Sequence, residues 1–201
     1  MEMETRTFNC ELRADPMESG SVLIKGSAAV FNKRSELMMT PWGEPFREVI
    51  KPGAFDTVLE DDVRGLFNHD HNYVLGRSAS KTLRLAVTDS DLNYEIDAPK
   101  TQTINDLVIE PMKRGDVSQS SFAFAVANDG DFWEYDDDDG VLLRTITKVK
   151  RLFDVSPVTF PAYSDADSSL STRSLEQFKE KQKTNPDAQW RNYVANYIQT
   201  L

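Results

Sequence analysis

Histidine and cysteine are nearly missing from this chain: two of the first and one of the second stand among 201 residues. A single thiol, Cys10, excludes an internal disulfide and points to a reducing compartment. It lies in a strand-like run with no histidine beside it, and reads as a small apolar filler rather than a nucleophile. The histidines are His69 and His71, so any histidine-dependent chemistry must run through one short loop. No apolar run approaches the roughly 20 residues of a membrane-spanning helix, and no membrane partner is expected. The N-terminal Met1-Glu2-Met3-Glu4-Thr5-Arg6 lacks the apolar stretch of a secretory signal. Basic residues are in deficit, 23 Lys and Arg against 33 Asp and Glu, a net charge of −10. Binding to a phosphate backbone needs clustered Lys and Arg, so nucleic acid is not expected as a partner. No glycine-rich phosphate cradle is present, and no cofactor is expected.

What is present reads as a folded domain, 39% hydrophobic and 28% charged. Strand-like runs separated by turn signals fill the first 165 residues or so: 7–12, 22–31, 46–50, 63–67, 83–87, 92–96, 122–126, 141–146 and 148–154. Pro52 is placed to open a helix reaching about Leu59. Ile104, Leu107, Val108 and Met112 have helical spacing, with Thr103 and Asp106 resembling a capping box, Pro111 a kink or early end, and Gly115 a stop. Many short strands with one or two inserted helices predict a closed or nearly closed barrel. Composition shifts after Tyr163 to a Ser/Asp-rich linker and a helix-prone tail. There Trp190, Tyr193, Val194, Tyr197, Ile198 and Leu201 form one apolar helical stripe. The expected division is a domain over 1–165 and a linker with a C-terminal helical tail over 166–201.

Three separated segments carry chemistry: Leu66-Phe67-Asn68-His69-Asp70, Val117-Ser118-Gln119-Ser120-Ser121-Phe122-Ala123-Phe124, and Leu152-Phe153-Asp154-Val155-Ser156-Pro157. Together they supply a base, a hydroxyl nucleophile and an orienting carboxylate. With period two, Phe122, Phe124 and Val126 share one strand face, and Ser121, Ala123 and Ala125 the other. A small face beside a hydroxyl lets a carbonyl approach within about 3 Å. Other readings stay open. His69 and His71 could form a His-x-His metal pair with carboxylates completing the set. The serines could be ordinary strand residues. Asp154 could pair with Arg151, Lys150 or Arg144. The acidic run Asp136 to Asp139 fails as an EF-hand, because Tyr135 and Ile146 hold ligand positions; it reads as a hairpin tip.

The ordered segments resemble the tailed-phage prohead (capsid maturation) serine protease family, whose fold is related to herpesvirus assemblin. The resemblance spans roughly 8–167. It rests on Gly26-Ser27-Ala28-Ala29-Val30-Phe31, Ile50-Lys51-Pro52-Gly53-Ala54-Phe55, the His69 loop with Leu75-Gly76-Arg77, Gly115 through Phe124, and Asp154-Val155-Ser156-Pro157-Val158-Thr159-Phe160-Pro161-Ala162. It implies an α+β, mainly β fold: a partly closed, herpesvirus-protease-like barrel with flanking helices and a C-terminal helical appendage. By position His69 matches the family's base and Ser121 its nucleophile, with Ser120 as fallback nucleophile. Asp154 stands where the family more often has Glu. The serine segment usually reads Ser-Gly-Met-Ser-Phe-Gly-Phe; here Gln119, Ser120 and Ala123 replace Gly, Met and Gly. Oxyanion donors are expected near Ser120 and Ser121, or around Leu75-Gly76-Arg77.

The implied activity is a serine endopeptidase that cuts scaffold segments of the major capsid protein, and itself, inside the prohead in the host cytoplasm. Assemblin-type proteases tend to dimerise, so the resemblance leaves self-association open. Two alternatives remain: a catalytically inactive barrel serving capsid assembly or scaffold binding, and a metal-dependent hydrolase using His69 and His71.

Overall fold

The computed structural model describes residues 3–160, apart from positions 11, 19, 137 and 139, together with residues 173–184. Its strands are β1 (Glu4–Asn9), β2 (Arg13–Pro16), β3 (Val22–Val30), β4 (Met38–Met39), β5 (Pro45–Ile50), β6 (Arg64–Phe67) and β7 (Asp70–Arg77). They continue as β8 (Leu83–Val87), β9 (Asp91–Asp97), β10 (Gln119–Val126), β11 (Asp131–Tyr135), β12 (Leu142–Ile146) and β13 (Val149–Val158). Alternation explains the choice of strand. In β9, Leu92, Tyr94 and Ile96 are buried while Asn93, Glu95 and Asp97 between them are only half-buried. Strands β2, β4, β7 and β11 fall outside the expected runs. Each holds at most one large buried apolar side chain, so the period-two signal is faint there.

The strands form three sheets, in the orders β1-β10-β13-β6-β7, β11-β12-β5-β4 and β2-β3-β9-β8. The expected partly closed barrel is not formed: none of these sheets closes on itself among the described residues. Strand β3 packs across β10 and β1 but hydrogen-bonds only to β2 and β9. Side-chain packing therefore joins these two sheets, while an isolated backbone bridge from Phe31 to Ile50 links the end of β3 to β5. Phe55, Phe122, Phe124, Ile96, Leu75 and Val155 belong to the shared core, and Phe122 stacks on Phe124 with centroids 4.7 Å apart.

The helical predictions need four corrections. Residues 52–60 form consecutive turns, not a helix. Gly53, at φ +86°, starts them in the left-handed region, and the bonds run three residues back, as from Val58 N–H to the Phe55 carbonyl. Next, Gln102–Ile104 (α1) and Glu110–Arg114 (α2) are joined by a π-helical segment, Asn105–Ile109. Pro111 does not end the run, which continues to Arg114; it follows directly on the π-helical segment. The N-cap is Thr101, whose hydroxyl accepts from Ile104 N–H at 3.3 Å, instead of Thr103. Gly115, at φ 84°, closes α2.

Helix α3 (Arg173–Thr184) packs on β11. Leu175 is fully buried in a second cluster with Phe46, Trp133 and Leu142. Ser174 Oγ accepts from Trp133 Nε1 at 2.9 Å and donates to Asp131 Oδ2 at 2.8 Å. The apolar stripe from Trp190 to Leu201 lies outside the described residues.

Candidate active site

In the β6–β7 hairpin Phe67 faces Asp70, leaving Asn68 and His69 as a two-residue loop. Both have positive φ, 54° and 58°. That is the φ pattern of a type I′ turn, whose twist matches the flanking strands. Asn and His enter this region more readily than most L-residues. The turn is pinned from β13. Asn68 N–H donates to the Pro157 carbonyl at 3.0 Å, and Asn68 Oδ1 accepts from Thr159 N–H at 2.9 Å. One loop side chain is thus spent on fixing the loop, and the other, His69, projects from it.

The surface it meets comes from β10 and β13, neighbours in the same sheet. Their register sets Ala123 opposite Asp154 and Ser121 opposite Ser156. His69 Nδ1 lies 2.7 Å from Asp154 Oδ1, and His69 Nε2 lies 2.7 Å from Ser121 Oγ. Asp154 is 5% exposed and Ser121 is fully buried, while the His69 side chain keeps 26% of its surface exposed. A buried carboxylate is costly without donors; here the ring N–H and the Ser156 hydroxyl, 2.8 Å from Oδ1, supply them.

Proton accounting fixes the tautomer. Asp154 can only accept when ionised, so Nδ1 carries the proton and Nε2 presents a lone pair to Ser121. Ser121 Oγ also lies 2.9 Å from the Arg6 carbonyl of β1. One hydroxyl proton serves one acceptor at a time, and only when it points to Nε2 is Oγ set up to lose it.

Ser120 is not brought to His69. It faces the other side of β10, fully buried, with Oγ 2.6 Å from Tyr94 Oη. Burial pushes the Tyr94 phenol far above its usual pKa, so it remains a neutral hydroxyl. Asp154 does not pair with Arg144, which is engaged elsewhere, and the Arg151 guanidinium lies over the Phe153 ring. The His-x-His metal geometry fails because His69 sits in a turn, with both ring nitrogens already engaged, and His71 is exposed on β7. Among the described residues no group of three or more His, Cys, Asp or Glu could hold a metal ion. Of the alternative oxyanion donors, the Arg77 N–H is committed to Thr82 Oγ1 at 3.0 Å. Asp136 and Asp138 at the acidic hairpin tip meet Arg34.

Beside the site, β1 is held by a buried charge cluster. Arg144 contacts Glu4 at 2.9 Å, Glu48 at 3.0 Å and Asp131 at 2.6 Å, and Arg6 contacts Glu48 at 2.8 Å and Glu4 at 2.7 Å. Burial alone would lower the Arg144 pKa; the surrounding carboxylates outweigh it and hold it above its ordinary value. Sequence reading missed this cluster, whose members are up to 140 positions apart. It also missed Ser156, although an i, i+2 spacing from Asp154 on a strand was a usable signal.

A family model described as Caudovirus prohead serine protease matches residues 8–181. No curated protein sequence matches the chain. Among solved structures, the capsid assembly protease of bacteriophage T4 is similar to it at 11% identity and a TM-score of 0.41, covering 77% of this chain and 98% of that one.

Proposed function

The chain belongs to the Caudovirus prohead serine protease family and is a serine peptidase; from that premise we propose that Ser121, His69 and Asp154 are its nucleophile, base and orienting acid. The observation that carries this reading is the unbroken chain of contacts, Ser121 Oγ to His69 Nε2 and His69 Nδ1 to Asp154 Oδ1, each 2.7 Å. Ser121 Oγ attacks a peptide carbonyl carbon as its proton passes to Nε2, and the carbonyl π electrons move to oxygen. Collapse breaks the C–N bond, and His69 returns the proton to the leaving amine. Water then hydrolyses the acyl-enzyme by the same route. Asp154 holds the tautomer and stabilises the imidazolium between the two proton transfers.

The substrates in this reading are scaffold segments of the capsid protein and the protease itself, cut within the assembling prohead in the host cytoplasm. Residues 1–165 form the protease domain in this reading. The tail from 166 is a linker and helical appendage, with α3 docked on β11. The test co-expresses wild type, Ser121→Ala and Ser120→Ala with the cognate capsid protein and follows both chains by intact mass. Cleavage by wild type and Ser120→Ala but not by Ser121→Ala is expected. Cleavage that survives Ser121→Ala would sink the nucleophile assignment, and a wild type that never cuts would favour a purely assembly-related role.

A further inference from the structure

Ser156 takes no part in the three-residue scheme, yet it touches two of its members. Its hydroxyl lies 2.8 Å from Asp154 Oδ1 and 3.5 Å from His69 Nδ1. The residue is fully buried, two positions beyond Asp154 on the same strand face, and directly opposite Ser121 in the β10–β13 register. We infer that Ser156 is a positioning residue for this protease: it fixes the ionised Asp154 and, through it, sets the basicity of His69. The inference rests on the triad reading above.

The direction of the proton follows from the neighbours. Nδ1 already donates to Oδ1, so it offers Ser156 no lone pair. Of the two atoms near the Ser156 hydroxyl, only the carboxylate oxygen can accept. Oδ1 therefore receives two donors, Nδ1 at 2.7 Å and Ser156 Oγ at 2.8 Å. Two consequences follow. The carboxylate is held in one rotamer, which matters because His69 stands on a two-residue turn and takes its ring orientation from the groups it bonds. The second donor also draws off part of the negative charge that would otherwise act on the imidazolium alone. Removing that donor concentrates the charge on His69 and favours its protonated form, which is inactive as a base.

A pH profile separates this role from a merely structural one. The purified full-length chain is treated with a fluorophosphonate probe, and the labelling rate is measured from about pH 5 to pH 9. In labelling, Ser121 Oγ forms a bond to phosphorus, the P–F bond breaks, fluoride departs and the hydroxyl proton goes to His69. The rate thus rises with pH as His69 loses its proton. Ser156→Ala should lower the plateau rate about tenfold and move the midpoint of the rise up by about half a pH unit. Tryptophan fluorescence at each pH gives the folded fraction, and rates divided by it have a midpoint that does not depend on how much of the variant is folded. Ser156→Thr, which restores a hydroxyl at the same carbon, should bring the midpoint back. An unmoved midpoint in Ser156→Ala overturns the inference whatever the rate does, and so does a midpoint that Ser156→Thr leaves displaced. A wild type that takes no label, or a Ser121→Ala variant that labels equally well, overturns the triad reading instead.

Discussion

Replacing Arg144 by Met should be one of the most damaging single changes available outside the reacting groups. The guanidinium is fully buried and meets Glu4, Glu48 and Asp131. With Arg6, the cluster holds three carboxylates against two guanidinium groups, an excess of one negative charge. Met keeps an unbranched apolar stem but is shorter, so the guanidinium that lies over Trp133 at 5.8 Å is lost with the ion pairs. It removes the charge and raises the excess to two. Arg6 still serves Glu4 and Glu48, but Asp131 is left with only the Ser174 hydroxyl among the contacts described here.

Removing one partner from a buried ion cluster costs about 3–5 kcal/mol. That is a large share of the roughly 5–15 kcal/mol that holds a domain together. With a urea slope of about 2.5 kcal/mol per molar, the midpoint should fall by about 1–2 M, read by tryptophan fluorescence. A midpoint within about 0.3 M of wild type at pH 7 would refute the reasoning.

Two further outcomes are expected. Ser120→Ala should keep peptidase activity within a few-fold while losing about 1 kcal/mol of stability with the Tyr94 contact, checked by capsid-protein cleavage and urea unfolding; inactivity in a fully folded variant would count against the assignment of roles on β10. Burial pushes the Cys10 thiol up, which depletes the thiolate near pH 8. Native protein should thus react with iodoacetamide much more slowly than urea-unfolded protein, with the gap closing as pH rises; equal rates at pH 8 would contradict it.

Much of this was readable along the chain. Alternation of side chains marks β9 and β10 locally, and Ser120 and Ser121 must face opposite ways on any strand. Gly115 announces the end of a helix by its tolerance of positive φ. With only two histidines, the base could come from nowhere but the 69–71 loop. The barrel expectation failed because a list of strands says nothing about where their ladders stop. The run to Arg114 hid a π-helical segment, since a helical spacing tolerates one widened turn without changing which residues are apolar.

The amino-acid sequence by itself determined the inventory: one base-bearing loop, one serine strand, one carboxylate strand, and the neighbouring motifs that tie them to a protease family. Tertiary structure decided which serine meets His69, because that depends on the order β10-β13-β6 and on a turn pinned by Thr159 and Pro157. It also decided that Ser156 joins Asp154 and that Arg144 does not. The physical reason is range. Periodicity fixes which face a side chain takes within its own element, whereas contacts between residues 52, 85 or 140 positions apart depend on strand register and the stacking of sheets, which no local pattern encodes.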